Sequence, residues 1–529
     1  MVFRISVALL SLLVIAGVLA PDAFGALSAR AQAGTLARGG WLYLVIVFVV
    51  LAFLATLAFG RLGALRIGGE DAEPEFSTLS WFAMLFSAGM GIGLVFWGAA
   101  EPLSHFNDPP EGIEPRSAVA AATAMRYAFF HWGLHPWAIY ALMGLAMAWF
   151  QFNRNARGLV SDLLEPLIGR HAHGIAGRAV DVLAVVATAI GVATTLGLGA
   201  AQIAAGLHRV TGVAAGFSTQ LAVIGVAFVL YMASSATGLH RGIKWLSNFN
   251  VATAALLLAL VLVVGPTAFI FETFTTTLGG YLNQLPAMSL RMTPFSQRAW
   301  VGEWTIFYWA WWISWAPFVG AFFARISVGR TVRQFVLGVV AGPTLASFIW
   351  FAAFGGTALF QQLIGGTDLL LALERGYQHV LFAMFDGLPF PSLLAGIAVV
   401  LLLSFFVTSA DSATLVLAGM SSDEAGDPPL ARKLVWGVLQ AAIAVALLTA
   451  GGLQALQAVV IVAALPFALL LVAVVVSLHR VLAQAFDAGE RERRALLRAE
   501  RRWLAQDPQA DRDPAPRPAT TAKPPPDAP

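Results

Sequence analysis

The chain has 529 residues, 58% of them hydrophobic and only 12% charged, with no cysteine and a formal net charge of +3. Ordinary soluble domains carry roughly a quarter charged residues, so the composition excludes a soluble globular protein, and the lack of cysteine excludes disulfides, thiol catalysis and thiolate metal sites. The slight positive charge is a topology signal that implies no nucleic-acid partner, and no G-x-x-x-x-G-K-[ST] sequence occurs to support a pump with its own ATP site.

Apolar runs of about 20 residues, the length of a membrane-crossing helix, recur at 4–20, 41–60, 80–100, 118–150, 180–206, 216–237, 249–272, 303–324, 334–360, 391–418, 431–450 and 453–479. They are long and continuous where barrel strands are short and alternating, which predicts an all-α membrane protein with twelve transmembrane helices. The first run is followed by no A-x-A-like site and soluble domain, so it is read as a retained span and not as a signal peptide. With both termini placed in the cytoplasm, 24 of the 32 Lys and Arg residues fall on the inner side, and this bias supports an even number of spans.

In the third run, "LFSAGMGIGLVFWGAAEPL", glycines alternate at 89, 91 and 93 with another at 98. Each glycine weakens a helix by about 1 kcal/mol relative to alanine. Spacing of two favours an opened helix over a small-residue packing seam, whose spacing is four. Opened backbone is tolerated inside a bilayer only where it lines a cavity; there its amides hold anionic groups and its carbonyls hold cations.

The fourth run contains "FFHWGLHPWAIY", where Trp132, Trp137 and Tyr140 flank Pro136. His131 and His135 are spaced as two ligands of a metal enzyme, but the glutamate of an H-E-x-x-H helix and a third ligand are lacking. In the eighth run, "YWAWWISWAPFVGAFFARIS", Trp311, Trp315 and Phe318 share one helix face, with Trp312 beside them and Pro317 loosening the backbone. Such stripes are usually core. Two of them, each beside a proline, fit an aromatic cage for a quaternary ammonium, to which cation–π attraction contributes about 2 kcal/mol or more once desolvated. Trp309, off this face, is expected to pack or anchor.

The tenth run ends "LSFFVTSADSATLV", where Thr408 and Ser409 offer hard oxygens suited to an alkali or alkaline-earth ion, or bond back to their own helix. Asp411 is expensive inside a membrane and is read as a structural or gating partner. Ser409 and Ser412 have no histidine-bearing motif nearby to make a protease, and bulky tryptophans suit a channel pore poorly. Residues 273–302 read as an interfacial segment, 480–504 as a charged cytoplasmic helix that contacts lipid, protein or solvent, and 505–529 as a tail disordered by composition.

Together these motifs resemble the betaine/choline/carnitine transporter family. Residues 308–335 match its signature, and the glycine stretch, "HWGLHPWAIY", "SSATGLHRGIKWLSNFN" and "FFVTSADSATLVL" follow the same order across roughly 40–480. The resemblance implies a LeuT-like 5+5 inverted repeat of helices 3–7 (78–272) and 8–12 (303–479) after two N-terminal helices (1–77), a homotrimer in the cell inner membrane, and a transporter rather than an enzyme. The implied substrate cage is Trp132, Trp137, Tyr140, Trp311, Trp312 and Trp315, with Met90, Gly91 and Gly93 of the opened backbone facing the substrate carboxylate. No cofactor is implied beyond Na+ as coupling ion. The matching ion positions are Ser87, Met90, Phe405, Thr408 and Ser409. A second sodium would use Ala88, Thr188 and Phe318, but Val192 stands where the relatives place a second threonine, which removes an oxygen ligand. Choline-carrying relatives tend to have aspartate at the place of Gly93, so a zwitterion such as glycine betaine is expected. A proton-coupled choline or carnitine/betaine transporter or exchanger is the alternative, and a membrane metalloenzyme or channel the outsider.

Overall fold

The computed structural model describes residues 1–89, 91–237, 240–296, 299–422 and 428–506, with backbone alone at 86–89, 236–237, 240–244 and 504–506. The described residues are helical, and an isolated bridge between Arg66 and Thr331 is the sole extended pairing among them. The helices are α1 (Val2–Leu19), α2 (Pro21–Phe59), α3 (Thr78–Gly89), α4 (Ile92–Asn107), α5 (Ala118–Trp132), α6 (Leu134–Asn153), the short α7 (Glu165–Ile168), α8 (Ile175–Thr211) and α9 (Phe217–Thr237). They continue with α10 (His240–Val264), α11 (Thr267–Ser289), α12 (Phe307–Arg325), α13 (Val332–Leu363), α14 (Leu370–Arg375), α15 (Tyr377–Asp386), α16 (Pro391–Met420), α17 (Leu430–Thr449) and α18 (Leu453–Gln506).

Ten helices among the described residues are long and apolar enough to cross a bilayer. The third and fourth expected spans are not among them, because each is divided. The first division separates α3 from α4, with Gly91 in an extended conformation, as the alternating glycines predict. The second, which the sequence reading had as one continuous run, falls at Gly133 between α5 and α6. There the Tyr281 hydroxyl of α11 accepts the orphan N–H of Leu134 at 3.2 Å. Pro136 lies in the first turn of α6, where a missing N–H loses nothing.

Other boundaries move for local reasons. Gly265 and Pro266 end α10 before the expected limit at 272, so the boundary drawn at 272–273 falls inside α11. The second span, whose apolar run begins at 41, is helical from Pro21 onward. The start of α13 is a capping box, with the Thr331 hydroxyl accepting from the Gln334 N–H and the Gln334 side chain accepting from the Thr331 N–H.

The chain forms two compact units, Met1–Leu478 and His479–Pro529. In the first, the most apolar windows of α8 and the π turn with α12 are 89% and 83% buried, against 22% for α1 and α10, so α8 and α12 are central and the others peripheral. Lipid gives helices no hydrophobic reason to associate, and close packing must hold them. The α6–α12 crossing shows how: a Cβ on Gly320 would lie 2.8 Å from Met143 Cβ and 3.1 Å from the Gly144 backbone nitrogen. In the second unit, described to Gln506, Glu490 lies within 3.4 Å of Arg493 and 3.8 Å of Arg494; the expected tail at 507–529 lies outside the described residues.

Candidate functional site

The divided helices and α12 converge on a group of aromatic rings. Trp311 and Trp312 stack at 4.8 Å, with planes 12° apart. Trp132, at the end of α5, meets Trp312 edge-on at 4.8 Å and Trp311 at 6.3 Å. Tyr140 approaches Trp312 at 6.2 Å, and Trp137 joins through Tyr140 at 5.7 Å. Trp315 takes another direction: it packs edge-on to Phe318 at 5.2 Å, and its ring would touch a Cβ on Gly191 of α8 at 3.0 Å. Trp309 is fully buried and stacks on His135 at 5.3 Å, the packing role expected of it.

Gly93, in the first turn of α4, fits between these rings. A Cβ there would lie 2.8 Å from Trp311 and 3.0 Å from Trp132, closer than packed atoms allow. The first turn of α4, which follows the opened backbone at Gly91, therefore lies directly against the rings, and the unpaired amides of a helix N-terminus favour a negative group.

Each indole N–H of the central three is held by an acceptor on another helix. Trp311 Nε1 donates to Thr195 Oγ1 of α8 at 3.0 Å, Trp312 Nε1 to the His131 carbonyl at 3.0 Å, and Trp132 Nε1 to Glu101 Oε2 at 2.7 Å. Glu101 also accepts from the Tyr308 hydroxyl at 2.6 Å and makes contacts of 2.7 Å with His131 Nδ1 and 3.2 Å with His105 Nε2. His131 Nε2 meets Thr305 Oγ1 at 2.9 Å, within the π-helical turn Gly302–Ile306 that precedes α12. His135 turns instead to Ser289 of α11 at 2.9 Å, so His131 and His135 do not share a site. Glu101, His105 and His131 do bring ligand-type atoms within 4.8 Å of one another. Sequence reading passed over Glu101 and Tyr308, although a lone carboxylate within an apolar span is itself a signal of function.

Beside this group, α16 brings the Ser409 hydroxyl toward the opened helix. Thr408 Oγ1 lies 3.1 Å from the Phe405 carbonyl and 3.0 Å from that of Ser404, and it accepts from Asn250 Nδ2 at 2.9 Å. Ser409 Oγ would be 3.9 Å from a Cβ on Gly91. The side chains of Ser87 and Ala88, and the whole of Met90, lie outside the described residues. Asp411 is buried and accepts from Ser234 Oγ of α9 at 2.8 Å. Thr188 on α8 is fully buried, and its hydroxyl finds no hydrogen-bond partner among the described residues. A separate cavity of about 240 Å³ is lined by Trp304, Ser104, Asn107, Asp108, Glu303 and Tyr377 among others.

The chain matches the description "BCCT, betaine/carnitine/choline family transporter" over residues 1–487. It is 45% identical to an ectoine/hydroxyectoine transporter of Virgibacillus pantothenticus, across 93% of this chain and 98% of that protein. It is 44% identical to the glycine betaine transporter OpuD of Bacillus subtilis, across 94% and 96%, and 44% identical to glycine betaine transporter 1 of Vibrio parahaemolyticus, across 83% and 84%. A helical membrane architecture with an opened third span, and a match of this extent, leave one conclusion: the chain belongs to the betaine/carnitine/choline transporter family, whose members are transporters and not enzymes.

Proposed function

We propose that the protein is a sodium-coupled symporter that imports glycine betaine or a close methylated zwitterion by alternating access. The observation that carries the substrate reading is Gly93, wedged between Trp311 and Trp132 with no space for a side chain. An aspartate there would suit a cation with no carboxylate of its own. Glycine leaves the ring faces to a trimethylammonium group and the opened backbone to a carboxylate. Relatives named as glycine betaine transporters support the same reading. The relative named as an ectoine/hydroxyectoine transporter favours a second, a cyclic zwitterion on the same rings.

The coupling reading rests on Ser409, whose Oγ would lie 3.9 Å from a Cβ on Gly91, and on the Phe405 carbonyl and Thr408 hydroxyl 3.1 Å apart on the same helix, hard donors of the kind alkali ions prefer. It takes one sodium, since Val192, one turn on from Thr188, brings no side-chain oxygen. Cytoplasmic termini, the inner membrane and a homotrimer belong to the same proposal. The test is uptake of radiolabelled glycine betaine into proteoliposomes, with sodium replaced by potassium and the proton gradient varied separately. Uptake is expected to require sodium and to ignore the proton gradient. Unchanged uptake in potassium would remove the coupling, and competition by ectoine in place of betaine would select the second reading.

A further inference from the structure

We infer that Glu101 is the electrostatic anchor of the aromatic group, a positioning residue whose single buried carboxylate holds Trp132 and Tyr308 by their ring donors and strengthens their faces for a cation. The inference rests on the proposed binding of a quaternary ammonium at these rings. Glu101 has no solvent exposure and lies on α4, nearly three turns beyond the opened backbone at Gly91. Its Oε2 accepts from Trp132 Nε1 at 2.7 Å and from Tyr308 Oη at 2.6 Å, while Oε1 meets His131 Nδ1 at 2.7 Å and His105 Nε2 at 3.2 Å. Three helices, α4, α5 and α12, thus meet at one side chain. Through His131, whose carbonyl accepts from Trp312 Nε1 and whose Nε2 meets Thr305, the same carboxylate fixes a third ring donor and the π turn.

The consequence for binding is physical. A hydrogen bond to a full charge is roughly twice as strong as a neutral one, and in a medium of low dielectric linked bonds polarise one another. A ring donor bound to a carboxylate passes electron density into its π system, and the face of that ring attracts a cation through its quadrupole. Tyr308 lies 5.7 Å from Trp132 and 5.9 Å from Trp312, so both polarised rings border the group that Gly93 enters. Glutamine has the shape of glutamate but one acceptor oxygen and a donating NH2. It cannot accept from all four partners.

The test compares glycine betaine with its uncharged-head isostere, 3,3-dimethylbutanoate, which has the same carboxylate and volume but a quaternary carbon for the nitrogen. Affinities of both are measured by calorimetry on the full-length purified protein and on Glu101→Gln. The preference of the wild type for betaine is expected to fall about 10-fold in the variant, equivalent to about 1.4 kcal/mol. A merely structural loosening lowers both affinities and leaves their ratio alone, which would overturn the proposal while the betaine reading stands. A wild type that binds neither ligand removes that reading and this proposal with it. In parallel, ¹⁹F spectra of 5-fluorotryptophan-labelled protein, with Trp132 assigned by Trp132→Phe, are expected to show its resonance shifted in Glu101→Gln without any ligand; an unmoved resonance overturns the positioning role. If Glu101→Gln fails to assemble, Tyr308→Phe decides: the ratio is expected to fall about 3-fold, the weight of one modest cation–π contribution, and an unchanged ratio overturns the proposal.

Discussion

Trp311 and Trp312 lie face to face, ring centroids 4.8 Å apart and planes 12° from parallel, although neighbours on a helix point about 100° apart. Their N–H groups are drawn to different helices, Trp311 to Thr195 of α8 and Trp312 to the end of α5. Tertiary hydrogen bonds, and not helical periodicity, therefore set the orientation of the pair, and they place Trp312 between Trp311, Trp132 and Tyr140.

Trp312→Leu is expected to weaken half-saturation for betaine uptake by about 10-fold or more, since it removes the ring with most aromatic neighbours in the cage. Phe318→Leu, whose ring meets Trp315 outside that group, is expected to change it by less than about 3-fold. Concentration curves of uptake distinguish them. Small and equal losses would mean that Trp312 only packs the core.

Gly93→Ala tests the wedge. The added Cβ would press on Trp311 and Trp132 from 2.8 and 3.0 Å, and overpacking of this kind costs about 1–3 kcal/mol. Betaine affinity is expected to fall by about 5- to 100-fold, on 1.4 kcal/mol per factor of ten, at normal levels of protein in the membrane. An alanine variant with wild-type affinity would detach Gly93 from the site.

Thr408→Ala removes the hydroxyl that lies 3.1 Å from the Phe405 carbonyl. The sodium concentration for half-maximal uptake should rise by about 10-fold, in line with an oxygen ligand worth about as much as a hydrogen bond to a charge. Sodium titrations at saturating betaine give the answer, and an unmoved midpoint would reject the site.

Glu101, His105 and His131 have ligand-type atoms within 4.8 Å, yet Trp132 and Tyr308 already donate to the carboxylate. Those donors satisfy the carboxylate without an ion, while His105 Nδ1 has no hydrogen-bond partner among the described residues. Uptake is expected to survive prolonged chelation with no change in rate. Loss of uptake on chelation, restored by zinc, would make this cluster a metal site.

Gly320→Ala should weaken the α6–α12 crossing, because the new methyl meets Met143 Cβ at 2.8 Å and backbone that cannot move aside. A penalty of about 1–3 kcal/mol predicts a lower thermal midpoint in detergent than the wild type. An unchanged midpoint would show that the helices separate there at no expense.

The sequence by itself determined the membrane class, the helical architecture, the opening at "GMGIG" and the packing role of Trp309. Long uncharged runs, alternating glycines and tryptophans at helical spacing are local patterns, and local physics is enough to read them. It placed the end of α10 too late, since the weight given to apolar length hid the stop at Gly265 and Pro266. It also read the fourth span as continuous, when Gly133 divides it and Tyr281, distant in the chain, receives the freed N–H of Leu134. Only the tertiary structure decided that Trp315 leaves the other tryptophans, that His131 and His135 part company, and that Glu101 joins Trp132 to Tyr308. Those outcomes depend on which donors and acceptors meet when α4, α5 and α12 pack together. Hydrogen-bond partners 31 and 207 residues apart leave no trace in the spacing of a single helix.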